Sequence, residues 1–280
     1  MRPSTLGVIG LGAIGGSVAR QAKQAGIATV LGWSPDRAEC IAAVEQRAID
    51  QAPAETADVA RAADLLVLAA PPAANLQLLE TLHRHLRPDS LVTDVGSVKR
   101  AIVARAEALG LAARFAGSHP LTGTHDHGFE ASRANLFAGA VVYITPTRGG
   151  ERAAGEVARF WETVLGARAV SVDAATHDAQ MAVTSHLPQV IASLLGWYLA
   201  EHVPPGAALG PGARDTTRLA ASEPSLWTEI LLMNRDVLLP ALRALEEPLG
   251  ELERALENGD ATAVAAWLTR AAEWRRRIGP

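Results

Sequence analysis

Hydrophobic residues in the first half of the chain form short continuous runs, and helix-sized stretches such as Ser17–Ala25 separate them. Strands that are apolar on both faces are typical of a parallel sheet that helices cover on both sides. The pattern therefore predicts a doubly wound α/β fold with a parallel sheet. The predicted strands are Leu6–Ile9, Thr29–Trp33, Leu65–Ala69, Leu91–Thr93, Val141–Thr145 and Ala169–Val172.

The second half of the chain has a different period. From His177 onward, apolar residues recur at the spacing of amphipathic helices. Gly259 and Asp260 precede the last of these stretches, in the places of a helix stop and an N-cap. We therefore expect an α/β domain over residues 1–172 and an all-α domain over residues 173–280. The predicted helices include Leu187–Tyr198, with a kink near Pro188, Trp227–Leu245 and Ala261–Arg276.

Composition and net charge limit the kinds of molecule that the protein is expected to bind. The chain has 280 residues and a formal net charge of −4, so neither a nucleic-acid footprint nor a basic membrane-binding patch is indicated. The long apolar run Leu65–Ala74 is interrupted by Pro71 and Pro72, and we expect no membrane span. The single cysteine, Cys40, cannot form an internal disulfide or a metal cluster. We expect a cytoplasmic protein that acts on small molecules and needs no metal.

A glycine motif follows the first predicted strand. Gly10, Gly12 and Gly15 form the pattern G-x-G-x-x-G between a strand and a helix. In that context the glycines allow a tight turn, on which the pyrophosphate of a dinucleotide binds at the helix N-terminus. The alternative is a turn with a purely structural role. We predict a Rossmann domain in which these glycines and Ile14 bind the cofactor.

The end of the second predicted strand bears on the choice between NAD and NADP. An acidic side chain there binds the free ribose hydroxyl of NAD and repels the 2′-phosphate of NADP. This chain has Ser34 at that position, and Arg37 follows closely enough to bind a phosphate. The pattern favours NADP. Under the alternative interpretation, Arg37 is merely solvated and Asp36 binds the ribose of NAD.

Two polar residues are expected at the carboxyl edge of the sheet. Ser97 follows the predicted strand at Leu91–Thr93, and His119 follows a further short strand. Ligands bind at that edge of an open parallel sheet, so both side chains can converge on a bound nicotinamide. Taken alone, a loop histidine more often makes a structural hydrogen bond than a catalytic one.

Several longer motifs lie along the chain in a fixed order. They are Asp94-Val95-Gly96-Ser97-Val98-Lys99, Ser118-His119-Pro120 with Gly123-Thr124, Asn135-Leu136-Phe137, Thr145-Pro146, His177-Asp178, Ser185-His186-Leu187-Pro188 and Arg214-Asp215-Thr216-Thr217-Arg218. A chain with these motifs resembles the prephenate and arogenate dehydrogenases of tyrosine biosynthesis. The resemblance extends over nearly the whole chain, and it implies a homodimer formed through the helical half.

The resemblance also implies roles for individual residues. His119 would accept the proton of the substrate hydroxyl, and Ser97 would hydrogen-bond in the same cluster and contact the cofactor. Arg218 matches the arginine that binds a substrate carboxylate. His186 would orient the substrate, although a helix-capping or core histidine is the alternative. Thr124 and Gln189 are also placed in the substrate site.

Two departures from the family pattern bear on specificity. Many members that use prephenate carry an acidic residue and a second histidine where this chain has His125 and Gln189. Together with Ser34, these residues favour an arogenate dehydrogenase that uses NADP. The alternatives are a prephenate-specific enzyme that uses NAD or NADP, an imine or β-hydroxyacid reductase of similar architecture, and a catalytically silent NADP-binding regulator.

Overall fold

The computed structural model describes residues 1–122 and 127–278. The chain divides into two compact units, of which the first is Met1–Asn234 and the second begins at Arg235. The domain boundary expected after residue 172 lies inside the first unit and stays a prediction. None of the helices in the described ranges is both long enough and apolar enough to cross a lipid bilayer.

The positions of the strands agree closely with the hydrophobic pattern, but the direction of the last two strands does not. Strands β1 to β4 form a parallel sheet in the order β2-β1-β3-β4, and β5 to β7 form a second sheet in the order β5-β6-β7. A parallel bridge between Val92 and Phe115 links the two sheets. The strands are β1 Thr5–Ile9, β2 Thr29–Trp33, β3 Leu65–Leu68, β4 Leu91–Asp94, β5 Ala116–Pro120, β6 Val141–Pro146 and β7 Arg168–Ser171.

The expectation of a wholly parallel sheet is wrong for β5 and β6, which pair in antiparallel fashion. In the described part of the connection between them, the only helical element is a short 3₁₀ turn, Phe129–Ala131. An antiparallel neighbour needs no crossover helix, whereas a parallel one does. Since β5 still runs parallel to β4, the carboxyl ends of β1, β3, β4 and β5 point the same way.

Helices fill the connections and most of the chain after residue 173. The predicted single helix Trp227–Leu245 is two helices, because Asn234 is not helical. In the first unit the helices are α1 Ala13–Gln24, α2 Arg37–Glu45, α3 Thr56–Ala62, α4 Pro72–Leu82, α5 Arg100–Ala108, α6 Glu151–Thr163, α7 Ala174–Met181, α8 Leu187–His202, α9 Pro211–Thr217 and α10 Pro224–Met233. In the second unit they are α11 Arg235–Arg243, α12 Glu246–Glu257 and α13 Ala261–Arg277.

A π-helical turn, Ala182–His186, joins α7 to α8 just before Pro188. The expected irregularity near this proline is therefore present, although it lies on the N-terminal side of α8. Proline cannot donate the backbone hydrogen bond of a regular helix, and a neighbouring turn accommodates the defect. At the other end of the chain, Asp260 caps α13 as predicted, since its carboxylate accepts a hydrogen bond from the Ala263 amide.

Successive strand residues pack into two separate cores, one on each face of the sheet. In β3, Leu65 and Val67 belong to the core under α1 and α6, whereas Leu66 and Leu68 belong to the core under α3, α4 and α5. Such burial of each Leu or Val contributes about 1.5–3 kcal/mol to folding. The doubly wound arrangement is thus confirmed, and it makes the sheet a rigid support for the loops at its carboxyl edge.

Candidate active site

An open cleft of about 460 Å³ lies at the carboxyl edge of the sheet in the first unit. Its walls come from the turn after β1, the loop between β3 and α4, the loop after β4, the end of β5 and the helix α10. Ligands of open α/β sheets bind at this edge. The cleft is therefore the candidate active site.

The three glycines of the motif each meet a different steric demand. Gly10 has φ +98°, and a Cβ there would lie 2.6 Å from the carbonyl carbon of Ala69. A Cβ on Gly15 would lie 1.8 Å from the carbonyl oxygen of Gly10. A Cβ on Gly12, by contrast, would meet no atom within 4 Å. The first and third glycines are needed by the fold, and the second leaves space that a ligand can occupy.

The N-terminus of α1 opens into this space. Gly12 precedes the helix without a side-chain cap, and both Ala13 and Ile14 line the cleft. Uncapped amides and the positive end of the helix dipole are suited to a pyrophosphate. The turn therefore has the shape and the donors that a dinucleotide needs.

Asn75 supports the opposite wall of the cofactor cleft, and the motif analysis did not identify it. This buried side chain accepts a hydrogen bond from the amide of Ala70 at 3.2 Å and donates to the carbonyl of Leu68 at 3.4 Å. Both bonds hold the loop between β3 and α4, which contains the cleft-lining Pro71. A polar residue in an otherwise apolar stretch of α4 was the available signal.

The residues at the end of β2 are arranged less simply than their sequence indicates. Ser34 is buried directly after the strand, and its hydroxyl donates a hydrogen bond to the carboxylate of Glu39. Asp36 caps α2 by accepting from the Ala38 amide at 2.8 Å. Arg37 is exposed in the first turn of α2 and does not line the cleft. An acidic group therefore does lie at the end of β2, but it comes from Glu39.

The two predicted catalytic residues lie in the same cleft. Ser97 is in the loop after β4, and both its side chain and that of His119 are half-buried in the cleft wall. We expected His119 to follow a strand, but it is the fourth residue of β5 itself. Its position beside the end of β4 still brings it to the predicted edge of the sheet.

The surroundings of His119 favour a neutral imidazole. Burial lowers the pKa of His119 well below its usual value, and the neighbouring His177, Lys99 and His186 lower this pKa further. A neutral imidazole can accept a proton, whereas an imidazolium cannot. His119 is therefore electrostatically suited to act as a base at neutral pH.

Lys99 is fully buried in an ion pair with Asp94. The Asp94 carboxylate also accepts a hydrogen bond from the amide of Gly96 at 2.8 Å. A buried charge requires such a partner, because an unpaired one would carry a large desolvation cost. The pair closes the loop that carries Ser97.

His186 lies behind the cleft wall. It is fully buried, and its ring packs edge-on to that of Trp227, which lines the cleft, at a centroid distance of 6.0 Å. Asn234 donates a hydrogen bond to Nδ1 at 3.1 Å, and Nε2 has no hydrogen-bond partner among the described residues. Burial lowers the pKa of His186 to about 4, although Asp178 acts to raise it. His186 therefore presents a neutral N–H whose hydrogen bond is unmade.

The orientation of Asn234 supports this tautomer. Its side-chain oxygen accepts from the Arg100 guanidinium at 2.9 Å, so its NH₂ group must be the part that faces His186. The same NH₂ group donates to the backbone carbonyl of Asp178 at 2.8 Å. Since an NH₂ group only donates, Nδ1 of His186 accepts and Nε2 carries the proton.

The remaining predicted substrate residues do not line the described part of the cleft. Gln189 is buried in α8 and donates to the backbone carbonyl of Leu219 at 2.8 Å, within the 3₁₀ turn Arg218–Ala221. Arg218 itself is exposed at the start of that turn. Gln189 thus holds the turn that carries Arg218. Thr124 lies outside the described residues, as does His125, and all these substrate roles stay predictions.

Sequence reasoning did not identify several residues of the cleft wall. Ser185 and Trp227 line the cleft from the helical part of the first unit, and Leu226 and Ile230 complete its apolar side. His127 lies at the rim. Ser185 was quoted only as part of a motif, and the tryptophan of an amphipathic helix carries no signal of a site until its neighbours are known.

Comparison with protein families accounts for nearly the whole chain. A family model described as "Prephenate dehydrogenase, nucleotide-binding domain" matches residues 18–171. A second one, "Prephenate dehydrogenase, dimerization domain", matches residues 173–270. The glycine motif itself precedes the first match, so the local geometry of the turn is independent support for nucleotide binding.

Individual relatives are similar over most of their length. The chain is 34% identical over 270 residues to a cyclohexadienyl dehydrogenase of Zymomonas mobilis, covering 91% of this chain and 89% of the relative. The crystal structure of Aquifex aeolicus prephenate dehydrogenase with hydroxyphenyl propionate and NAD⁺ has a TM-score of 0.90 at 29% identity, covering 98% of both chains. Synechocystis arogenate dehydrogenase has a TM-score of 0.81 at 29% identity, covering 98% of this chain and 99% of the other. The chain belongs to the prephenate dehydrogenase family, with a nucleotide-binding α/β domain followed by a helical dimerization domain.

Proposed function

We propose that this protein is an NADP-dependent dehydrogenase that oxidatively decarboxylates arogenate to tyrosine, with prephenate as a second substrate that gives 4-hydroxyphenylpyruvate. The observation that carries the proposal is the position of His119 and Ser97 in one cleft with the open glycine turn. Family membership supports the class of reaction, and the relatives include enzymes described for each of the two substrates.

The reaction removes a hydride from the ring carbon that bears the hydroxyl, the proton of that hydroxyl, and the ring carboxylate as CO₂. The C–C bond to the carboxylate breaks, its electron pair completes the aromatic ring, and the ring oxygen takes back a proton. The products are therefore a phenol, CO₂ and the reduced nicotinamide. A bound nicotinamide would supply the hydride acceptor. The protein must then provide a proton acceptor next to the hydroxyl, which is the role we give to neutral His119. Ser97 would hydrogen-bond to the same oxygen and contact the cofactor.

The substrate carries two carboxylates, and these groups require donors. His186 offers an unpartnered N–H behind Trp227, and this buried donor supports a role in orienting the substrate. We assign Arg218 to a carboxylate because it matches the family motif, although it is exposed in the first unit. Arginine suits this task because its planar group can bind both carboxylate oxygens.

NADP is proposed because Ser34 replaces the acidic residue expected after β2 in enzymes that use NAD. Arg37 is close in sequence and exposed, so its guanidinium is accessible to a 2′-phosphate. The carboxylate of Glu39 acts against this preference, since it hydrogen-bonds to Ser34. That observation favours a second candidate function, a prephenate dehydrogenase that uses NAD.

Steady-state rates for four pairings of substrate and cofactor test the proposal. We expect arogenate with NADP to give the highest kcat/KM. A higher value for prephenate with NAD would establish the second candidate. Absence of turnover in all four pairings would refute the dehydrogenase activity and favour a silent binding protein.

Two variants address the cofactor directly. Arg37→Ala should weaken NADP and leave NAD nearly unchanged, and Ser34→Asp combined with Arg37→Ala should reverse the preference. Equal effects of Arg37→Ala on both cofactors would contradict the assignment.

We further propose that the protein is a homodimer, which the match to a dimerization domain supports. Light scattering of the purified protein would check its mass.

A further inference from the structure

A continuous line of hydrogen bonds leads from the cleft wall to a buried carboxylate. Nδ1 of His119 lies 2.9 Å from Nε2 of His177, and Nδ1 of His177 lies 2.8 Å from Oδ1 of Asp178. His177 and Asp178 are both buried, and neither lines the cleft. The two imidazole rings meet edge-on at a centroid distance of 5.1 Å. The proton arrangement along this line decides which nitrogen of His119 is free.

The arrangement is fixed at its buried end. Asp178 accepts hydrogen bonds from the amide of Lys99 at 2.7 Å, and from the amide and Nε of Arg100 at 2.9 and 3.2 Å. Burial acts to raise the pKa of Asp178, but the hydrogen bonds from His177 and the two amides outweigh it, so the pKa is lowered. Asp178 is thus a carboxylate that can only accept hydrogen bonds.

The position of each further proton follows from the hydrogen bond before it. Because Asp178 accepts, Nδ1 of His177 must donate, and neutral His177 then has a lone pair on Nε2. Nδ1 of His119 must in turn donate to that lone pair, which leaves Nε2 of His119 unprotonated. We infer that His177 and Asp178 are positioning residues that hold His119 in its Nδ1–H tautomer, so that its basic Nε2 is available to the substrate hydroxyl.

This inference rests on the proposed role of His119 as the base. It adds that His119 needs no exchange of tautomers before it can accept a proton. Free imidazole exchanges between two tautomers, of which only one has the lone pair on the required nitrogen. When His119 takes up the proton, its Nδ1–H still donates to His177. The carboxylate of Asp178 then stabilises the imidazolium through the second ring.

Protonation of His177 would reverse the direction of the hydrogen bond between the two imidazole rings. Its Nε2 would donate to His119, and Nε2 of His119 would then carry the proton and be unable to act as a base. Charged and titratable groups surround the two rings. They are Asp178 on α7, Lys99 and Arg100 before and in α5, Tyr143 on β6 with its ring 5.6 Å from that of His177, and His186 in the π-helical turn.

The tautomer can be measured without substrate. Correlation of ¹⁵N and ¹H signals in protein labelled at its 8 histidines distinguishes the two tautomers and the imidazolium. The variants His119→Asn and His177→Gln assign the signals. We expect both His119 and His177 in the Nδ1–H form at neutral pH. An Nε2–H form of His119, or an imidazolium at His177, would overturn the inference.

A pair of substitutions separates positioning from packing. His177→Gln can place an amide oxygen where Nε2 stood, whereas His177→Met has similar length and lacks that acceptor. We expect the methionine variant to lose about 10- to 100-fold in kcat with little change in KM, the scale on which partners of functional histidines act. The glutamine variant should recover most of that loss.

Equal losses of kcat in both variants, accompanied by equal losses in melting temperature, would indicate a structural role and refute the inference. Normal kcat in the methionine variant would refute it as well. The proposed function can fail separately. If His119→Asn retains full turnover, the base assignment is wrong, whereas the tautomer measured in the resting protein is independent of that result.

Discussion

The two sides of the cleft are built in different ways. The cofactor side consists of backbone, since the turn around Gly12 offers amides and empty space and needs no side chain. The proposed catalytic side consists of side chains that hydrogen-bond to one another, in the line His119, His177 and Asp178 and in the pair Asn234 and His186. A backbone site tolerates many residues as long as the glycines stay, whereas a side-chain network depends on each of its members.

This difference predicts that damage to one side leaves the other intact. The largest expected effect is that of His119→Asn, which should lower kcat by about two to four orders of magnitude, the usual contribution of a positioned base. Its NADP Kd should be unchanged, because the glycine turn is not altered. Stopped-flow turnover and fluorescence titration measure the two quantities, and His202→Asn on the exposed face of α8 is the control.

The pH dependence of the unmodified enzyme gives a second measure of the same side. Because burial lowers the pKa of His119 below its ordinary value of 6.5, the base stays neutral as the pH falls through 6.5. We expect kcat/KM to decline only below that pH, and then about tenfold per unit. A decline centred at or above 6.5 would mean that His119 is more solvated than the structure indicates, or that another group is titrating.

Sequence reasoning succeeded where function is local and failed where it depends on tertiary contacts. The glycine turn could be predicted because three residues within one turn determine its shape. The reversed direction of β6 and β7 could not, since an apolar run is the same in parallel and antiparallel pairs. The position of Asn234 between Arg100 and Asp178 joins residues separated by 134 and 56 positions, and no spacing in the sequence indicates it. Glu39 is only five positions after Ser34, but the sequence does not show that its side chain folds back from α2 onto that hydroxyl.

Arg218 tests whether the substrate side extends beyond the described cleft lining. Arg218→Ala should raise the substrate KM by about 10- to 100-fold, the value of a hydrogen bond to a charged group that is present before and during the reaction. The change in kcat should be smaller. Arg214→Ala, on the exposed surface of α9, is the matched control. A change confined to the KM for NADP would assign Arg218 to the cofactor instead.

Gly12→Ala tests the cofactor side of the cleft, as His119→Asn tests the catalytic side. Its φ of −64° suits alanine, and the added methyl would meet no protein atom, so the melting temperature should not fall. The methyl group would occupy space needed for the pyrophosphate, and we expect the cofactor Kd to rise about tenfold, equivalent to about 1.4 kcal/mol. Gly155→Ala adds a methyl at an equally open position on α6 as a control. An unchanged Kd would place the pyrophosphate elsewhere.

The smallest effect is expected at Glu39, whose carboxylate lies at the end of β2, on the proposed cofactor side. Its carboxylate accepts from Ser34, at the point where a 2′-phosphate would have to lie, and two anions there repel. In a partly solvated site this repulsion amounts to about 1 kcal/mol or less. Glu39→Gln should therefore raise the ratio of kcat/KM for NADP over NAD by a few-fold, through both a gain for NADP and the loss of a ribose acceptor for NAD. Glu45→Gln makes the same charge change at the exposed far end of α2 and should leave the ratio unaltered. If Glu39→Gln also leaves the ratio unaltered, the 2′ group does not approach this carboxylate, and the choice of cofactor depends on Ser34 and Arg37 alone.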